Sequence, residues 1–159
     1  MAKTSYIPTG YHTVTPYITC SNAAEAIDFY KRAFGAEELY RMPGPGGKIM
    51  HAEIKIGDSV IMLSDEFPEM GAKSPLSAGC NTASVMVYLP DVDASFERAV
   101  KAGAKPAKQP EDTFWGDRYG QVIDPSGHRW SLATHVEDVA PAEMERRSRE
   151  FMAKMKAAS

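Results

Sequence analysis

The stretch Asp124-Pro125-Ser126-Gly127-His128-Arg129-Trp130-Ser131-Leu132 reads as the turn and returning strand of a β-hairpin. Proline, serine and glycine at its centre are turn formers, and Arg118–Asp124 and His128–Thr134 on either side have strand composition. Its place in the chain decides more than its shape. At a spacing of 69 positions, Ile61-Met62-Leu63 falls over Trp130-Ser131-Leu132, and Thr15 falls over Ser84. Two separated strands that keep one register mark an internal repeat.

Working outward, each half has the same order. His12–Cys20 reads as a strand, and Ser21-Asn22 offers a helix N-cap with Glu25 as a capping-box acid. Ala26, Ile27, Tyr30, Ala33 and Phe34 then recur at helical spacing up to Gly35, a C-terminal glycine. Met42–Gly47 reads as a loop, and Lys48–Ile56 and Ser59–Asp65 form a hairpin around Gly57-Asp58. Glu66–Cys80, rich in Pro, Gly and Ser, reads as a linker. The pattern restarts with a strand at Ala83–Leu89, a helix at Val92–Ala102 closed by Gly103, a loop at Lys108–Gly116, and the hairpin quoted above. An amphipathic helix over Ala140–Lys156 ends the chain, with Met144, Phe151, Met152 and Met155 on or near one face. The expected divisions are 12–66, a linker at 67–82, 83–136, and a tail at 137–159, all within one structural domain.

Bulk properties narrow the function classes. The chain has 159 residues, 43% hydrophobic and 25% charged, with a formal net charge of −3. This is globular composition, and it offers no electrostatic footprint for nucleic acid or an anionic membrane. Two cysteines, Cys20 and Cys80, make neither a disulfide framework nor a zinc spacing. No apolar run is long enough to span a bilayer, and Met1 to Tyr11 lacks a signal-peptide core, so a cytoplasmic location is expected.

Three motifs carry a family resemblance: Ala26–Gly35 (AIDFYKRAFG), Asp124–Leu132 (DPSGHRWSL) and the run from Val85 to Gly103. With the repeat, they resemble the vicinal-oxygen-chelate superfamily of glyoxalases, bleomycin-resistance proteins and extradiol dioxygenases. The runs Trp115–Gly120, Gly127–Trp130 and Ala133–His135 look like its PhnB-like branch. The resemblance implies an α+β fold: two βαβββ modules forming curved mixed sheets around a cavity, with a C-terminal helix. It also implies a homodimer, with modules swapped between chains in some members. Metal-dependent members place His and Glu on the first and last strands of each module. Here those positions fall on Thr15, Met62, Ser84 and Ser131. Three hydroxyls and a thioether do not supply the nitrogen and carboxylate ligands of a divalent metal, so neither metal nor cofactor is expected.

Strand alternation nominates the cavity-facing residues. A two-residue turn at Gly57-Asp58 pairs Ile56 with Ser59, so His51, Glu53 and Lys55 share a face with Met62. Tyr17 and Thr19 share the face of Thr15, and Met86 and Tyr88 that of Ser84. In the second hairpin, with Asp124 opposite Arg129 as an ion pair, Val122 faces Ser131, Gly120 faces Ala133 and Arg118 faces His135. Tyr17, Tyr88 and Met62 offer stacking and dispersion, Arg118 offers a clamp for a carboxylate or phosphate, and Trp115 sits in a neighbouring loop. His51 and Glu53 read either as an acid–base or metal pair or as a plain hydrogen-bonded pair. His128 is expected to face solvent and Trp130 to be core.

The candidate ligand-binding set is therefore Tyr17, His51, Glu53, Met62, Tyr88, Trp115, Arg118, Ser131 and His135, with no catalytic residue assigned. The expected function is metal-independent binding of a small organic molecule in the cavity between modules. The alternative is a lyase, isomerase or dioxygenase whose acid–base or metal site is relocated to His51, Glu53, Arg118 or His135.

Overall fold

The structure is a computed structural model that describes residues 4–157; Met1–Lys3 and the last two residues of the expected tail, Ala158 and Ser159, lie outside the described residues. The first half runs β1 (Tyr17–Cys20), α1 (Ala23–Phe34), β2 (Glu37–Pro43), β3 (Ile49–Ile56) and β4 (Ser59–Asp65). After a short helix α2 (Pro75–Ala78), the second half repeats it: β5 (Ser84–Tyr88), α3 (Val92–Ala102), β6 (Lys105–Asp112), β7 (Asp117–Ile123) and β8 (Arg129–His135). Helix α4 (Pro141–Ala157) closes the chain. The sheet orders are β1-β4-β3-β2 and β5-β8-β7-β6, each with one parallel pair and two antiparallel pairs. The fold is thus α+β with two βαβββ modules and a C-terminal helix.

Helices α1 and α3 have the bounds their sequences predict, because both ends of each are chemically marked. Asn22 and Asp91 accept the N–H groups of Glu25 and Ala94 as N-caps, and Gly35 and Gly103 end the helices in the left-handed conformation. Each helix covers one face of its sheet, and the two helices pack on each other. A single core results. Trp130 of β8 is fully buried and lies 5.0 Å from the Tyr30 ring and 4.8 Å from the Phe34 ring of α1.

Three expectations need correction. The first strand begins at Tyr17 rather than His12. Pro16, with no N–H, sits where the next ladder bond would form. Strands β2 and β6 occupy Glu37–Pro43 and Lys105–Asp112, partly where the sequence reads as loop. Both are exposed outer edges carrying charges, prolines and register shifts, so neither shows the alternation of a half-buried strand.

The third correction has the widest effect. In the second hairpin Ile123 pairs with Arg129, Val122 with Trp130, Gln121 with Ser131, Gly120 with Leu132 and Arg118 with Thr134. The turn is one residue longer than the sequence suggests. Asp124 makes no ion pair with Arg129: its carboxylate turns inward, 4% exposed, and accepts the N–H groups of Ser126 and His128, both at 2.9 Å. A one-residue slip moves every side chain to the opposite face. Arg118, Gly120 and Val122 therefore leave the face of Ser131, and Asp117, Tyr119 and Gln121 take their places.

The same turn joins the modules. Asp124 accepts the Tyr30 hydroxyl at 2.6 Å and the Trp130 indole N–H at 2.9 Å. Ser126 Oγ accepts the Ser21 N–H at 3.2 Å, and His128 Nε2 donates to the Thr19 carbonyl at 2.8 Å. His128 thus docks on the first module rather than facing solvent. The segment between modules packs there too, with the Leu76 N–H on the Ser126 carbonyl at 3.1 Å.

Candidate functional site

On the first sheet, the face away from α1 carries Tyr17, His51, Glu53 and Met62, as the sequence predicts. Tyr17 pairs with Met62, and Met62 with Glu53. The two-residue turn fixes this register, since residues flanking such a turn must pair. Glu53 accepts the Tyr11 hydroxyl and lies 3.1 Å from His51 Nε2; Tyr17 Oη lies 3.1 Å from His51 Nδ1. These hydrogen bonds, Tyr11 first, hold the Glu53 carboxyl below its usual range, and the same carboxylate pushes the Tyr11 hydroxyl up to about 12. An ionised carboxylate only accepts, so His51 Nε2 donates to Glu53, and the tautomer with its proton on Nε2 leaves Nδ1 to accept a hydrogen bond from the Tyr17 hydroxyl. Tyr17 is 53% exposed, and its ring lies 5.6 Å from the His51 ring, with the Tyr40 ring 6.2 Å from His51 on the other side.

On the second sheet, Tyr88, Trp115 and His135 converge on a residue the sequence reading missed. Asp117, 3% exposed, accepts the Tyr88 hydroxyl at 3.1 Å and the Trp115 indole N–H at 3.0 Å on one oxygen, and faces His135 Nδ1 at 2.8 Å with the other. Tyr88 is raised above its ordinary range by that hydrogen bond. His135 Nε2 lies 2.9 Å from Asp138, and the pull of Asp138 and then Asp117 raises the imidazole above its ordinary value. Ser131 Oγ sits in its own small network, 3.0 Å from Tyr119 Oη and 3.2 Å from Gln121 Nε2.

Arg118 belongs to neither cluster. Its guanidinium grips Asp93 of α3 with two hydrogen bonds, at 2.6 and 2.8 Å, and Asp112 with a third at 3.1 Å. It lies on the helix side of the sheet and is no clamp for a ligand on the other face. The hairpin slip was the signal: with Asp117 opposite His135, the carboxylate rather than the guanidinium meets the aromatic groups.

The four positions where the family resemblance implies metal ligands do not form a metal site. Thr15 donates to the His12 carbonyl, Ser131 is engaged by Tyr119 and Gln121, Met62 offers a thioether, and Ser84 is exposed. His51 and Glu53 lie on the first sheet and His135 on the second. Among the described residues no three or more His, Cys, Asp or Glu side chains are grouped to hold an ion.

A cleft of about 630 Å³ lies between the modules. Of the nine sequence-predicted residues, only Tyr88 lines it; His12, Val14, Pro16, Phe34, Val60 and Val87 are among its walls. Apart from Tyr88, which also lines the cleft, and Arg118, which lies on the helix side, the sequence-predicted residues sit on or beside the two outer sheet faces.

Comparison with known proteins matches the architecture. The chain is 47% identical over 129 residues to an uncharacterised protein of Mycobacterium bovis, covering 79% of this chain and 85% of that one. Its fold is similar to that of TioX from Micromonospora sp. ML1 (TM-score 0.61, 28% identity, 79% of this chain and 99% of that one). It is also similar to the PhnB protein of Bacillus cereus (TM-score 0.59, 17% identity, 77% and 98%). The profile of the glyoxalase/bleomycin resistance protein/dioxygenase superfamily matches residues 11–132. With the repeat, the two βαβββ modules and these similarities in hand, the chain belongs to the glyoxalase/bleomycin resistance protein/dioxygenase superfamily.

Proposed function

We propose that this protein binds a small organic molecule, one with an aromatic or conjugated ring and one or two polar groups, on its open sheet faces without using a metal. One observation carries the reading. The polar atoms of Tyr17, Tyr88 and Trp115 are engaged by His51 and Asp117, while the residues Tyr17 and Tyr88 stay 53% and 61% exposed. Rings pinned in this way lose little further freedom on binding. Tyr40, Met42, Met62 and Met86 add polarisable surface on the same faces. Ser131, with Tyr119 and Gln121, supplies a hydrogen-bonding handle. A homodimer in which the exposed faces of two chains meet encloses such a ligand, and two free thiols, Cys20 and Cys80, fit a reducing cytoplasm. Among the described residues no helix is long and apolar enough to cross a membrane.

Tryptophan fluorescence tests the reading, because Trp130 is fully buried and Trp115 is not. Titration with a panel of aromatic acids, phenols and quinones should give saturable quenching with at least one compound class. Tyr17→Ala and Tyr88→Ala should each weaken it about tenfold, equivalent to about 1.4 kcal/mol of stacking. A panel that moves neither fluorescence nor unfolding temperature contradicts the reading.

One observation favours a second reading, acid–base chemistry on the bound molecule. The chain Glu53–His51–Tyr17 has an oriented imidazole with its free lone pair aimed at a hydroxyl, the arrangement that activates a proton donor or nucleophile. Paired alanines at His51 and Glu53 should then abolish any turnover found, and unchanged turnover excludes it.

A further inference from the structure

Tyr11 is an aromatic ring with a hydroxyl that the chain itself delivers to the first sheet face. Its hydroxyl donates to Glu53 Oε2, while Glu53 Oε1 faces His51 Nε2. Glu53, His51 and Tyr17 stand on the face turned away from α1, and Tyr40 and Met42 of β2 pair beside Glu53 and His51. The Tyr11 phenol therefore occupies the carboxylate oxygen that this aromatic face otherwise presents to a bound molecule.

The segment carrying Tyr11 is held at few points. The Met62 N–H bonds to the Pro16 carbonyl at 2.9 Å, and Pro16 has no N–H, so the β1–β4 ladder ends there. From Thr4 to Thr15 no residue belongs to a strand or helix. The Tyr11 N–H bonds to the Pro8 carbonyl, closing a turn whose third residue, Gly10, has the positive φ of 87° that type II geometry needs. The bonds of Ile7 to Ser5 and of Thr15 to the His12 carbonyl are also internal. Among the described residues, Tyr11 to Glu53 is the one hydrogen bond from Thr4–Thr15 to the rest of the protein. The attraction of His12 for Asp58 adds to it.

The chemistry of the face selects what can take the place of Tyr11. Glu53 is held ionised, below its usual range, so it only accepts. Its hydrogen-bond partners are Tyr11 and His51, with no lysine or arginine among the described residues. Lys55 shares the face, but its pull falls on Asp58. An aromatic acid here sets carboxylate against carboxylate. An ammonium brings three donors to the single oxygen that Tyr11 vacates. A phenol brings one donor and a ring, as Tyr11 does.

Resting on the reading of the sheet faces as ligand surfaces, we propose that the Tyr11 segment is an internal occupant of the first face, and that the ligand of this face is a neutral aromatic compound whose donating hydroxyl displaces that of Tyr11 from Glu53. The segment then acts as an autoinhibitory strap that the ligand releases.

The test is an NMR titration of the full chain and of Tyr11→Phe, both labelled in their tyrosine rings, with p-cresol, its methyl ether, p-toluate and benzylamine up to millimolar concentration. Tyr17 reports binding, and the Tyr11 resonance is the one lost in Tyr11→Phe. p-Cresol should bind, and the ether, the acid and the amine should each bind at least tenfold more weakly. Saturating p-cresol should move the Tyr11 resonance toward that of Tyr6, which is 91% exposed. Tyr11→Phe keeps the ring but frees Glu53, and should bind p-cresol about fivefold more tightly, which is about 1 kcal/mol. A Tyr11 that only holds Glu53 in place gives the opposite sign, weaker binding in Tyr11→Phe. That sign, or a Tyr11 resonance unmoved at saturation, overturns the strap and leaves the stacking reading standing. Tightest binding by p-toluate or benzylamine overturns the hydroxyl class. If none of the four binds either protein while other aromatic compounds bind and are weakened by Tyr17→Ala, this inference alone fails. If no aromatic compound binds, both readings fail.

Discussion

The Tyr30 hydroxyl donates to the buried Asp124 carboxylate at 2.6 Å, joining the first helix of one module to the last turn of the other. With the Trp130 indole and the N–H groups of Ser126 and His128, four donors converge on one carboxylate. Removing it strands several of them in a buried site. Asp124→Ala should cost about 3 kcal/mol or more, since each buried donor left unpaired costs about 1–3 kcal/mol. Asp124→Asn, which keeps one acceptor oxygen, should cost less. Chemical denaturation of the two variants measures this. Equal stability of Asp124→Ala and wild type contradicts a shared core locked at this turn.

Arg118 should matter little to the ligand faces. It bridges α3 to β7 at the surface through Asp93 and Asp112, and surface ion pairs contribute about 0–1 kcal/mol. Arg118→Ala should leave ligand affinity unchanged and lower stability only slightly. An affinity loss matching that of Tyr17→Ala places the guanidinium at the ligand after all.

His135 makes the attachment of the tail sensitive to pH. Its folded-state pKa is raised, by Asp138 first and Asp117 second. A group of this sign adds stability that is complete below its unfolded value, about 6.5, and that is lost as pH rises through the higher folded value. Amide exchange near Asp138 should therefore quicken between mildly acidic and alkaline pH, and His135→Gln should flatten the dependence. Screening by solvent keeps the effect small. Slower exchange at high pH, after correction for the intrinsic rate, reverses the sign and contradicts the assignment.

The legibility of this fold varied with how locally each feature is determined. Helices α1 and α3 were readable to the residue because Asn22, Gly35, Asp91 and Gly103 mark their ends. The first hairpin was readable because a two-residue turn at Gly57-Asp58 permits one register. The second was not, because its length depends on Asp124 turning inward to bind its own turn, the Trp130 ring of its own returning strand and the Tyr30 ring of α1. That single side chain moved Arg118 off the sheet face and brought Asp117 onto it. Strands β2 and β6 escaped notice because edge strands show protective charge and proline rather than alternation. Tyr11, which holds Glu53, lies outside every repeat element and carried no pattern.

The most direct test of the central claim is ligand binding by chelator-treated protein, measured by calorimetry with the best compound of the fluorescence panel, on wild type and on the Tyr17→Ala/Tyr88→Ala double variant. Metal-independent stacking on the sheet faces predicts unchanged wild-type affinity after chelation and at least a tenfold loss in the double variant. Binding that appears only when a divalent metal is restored, or that survives loss of both rings, contradicts it.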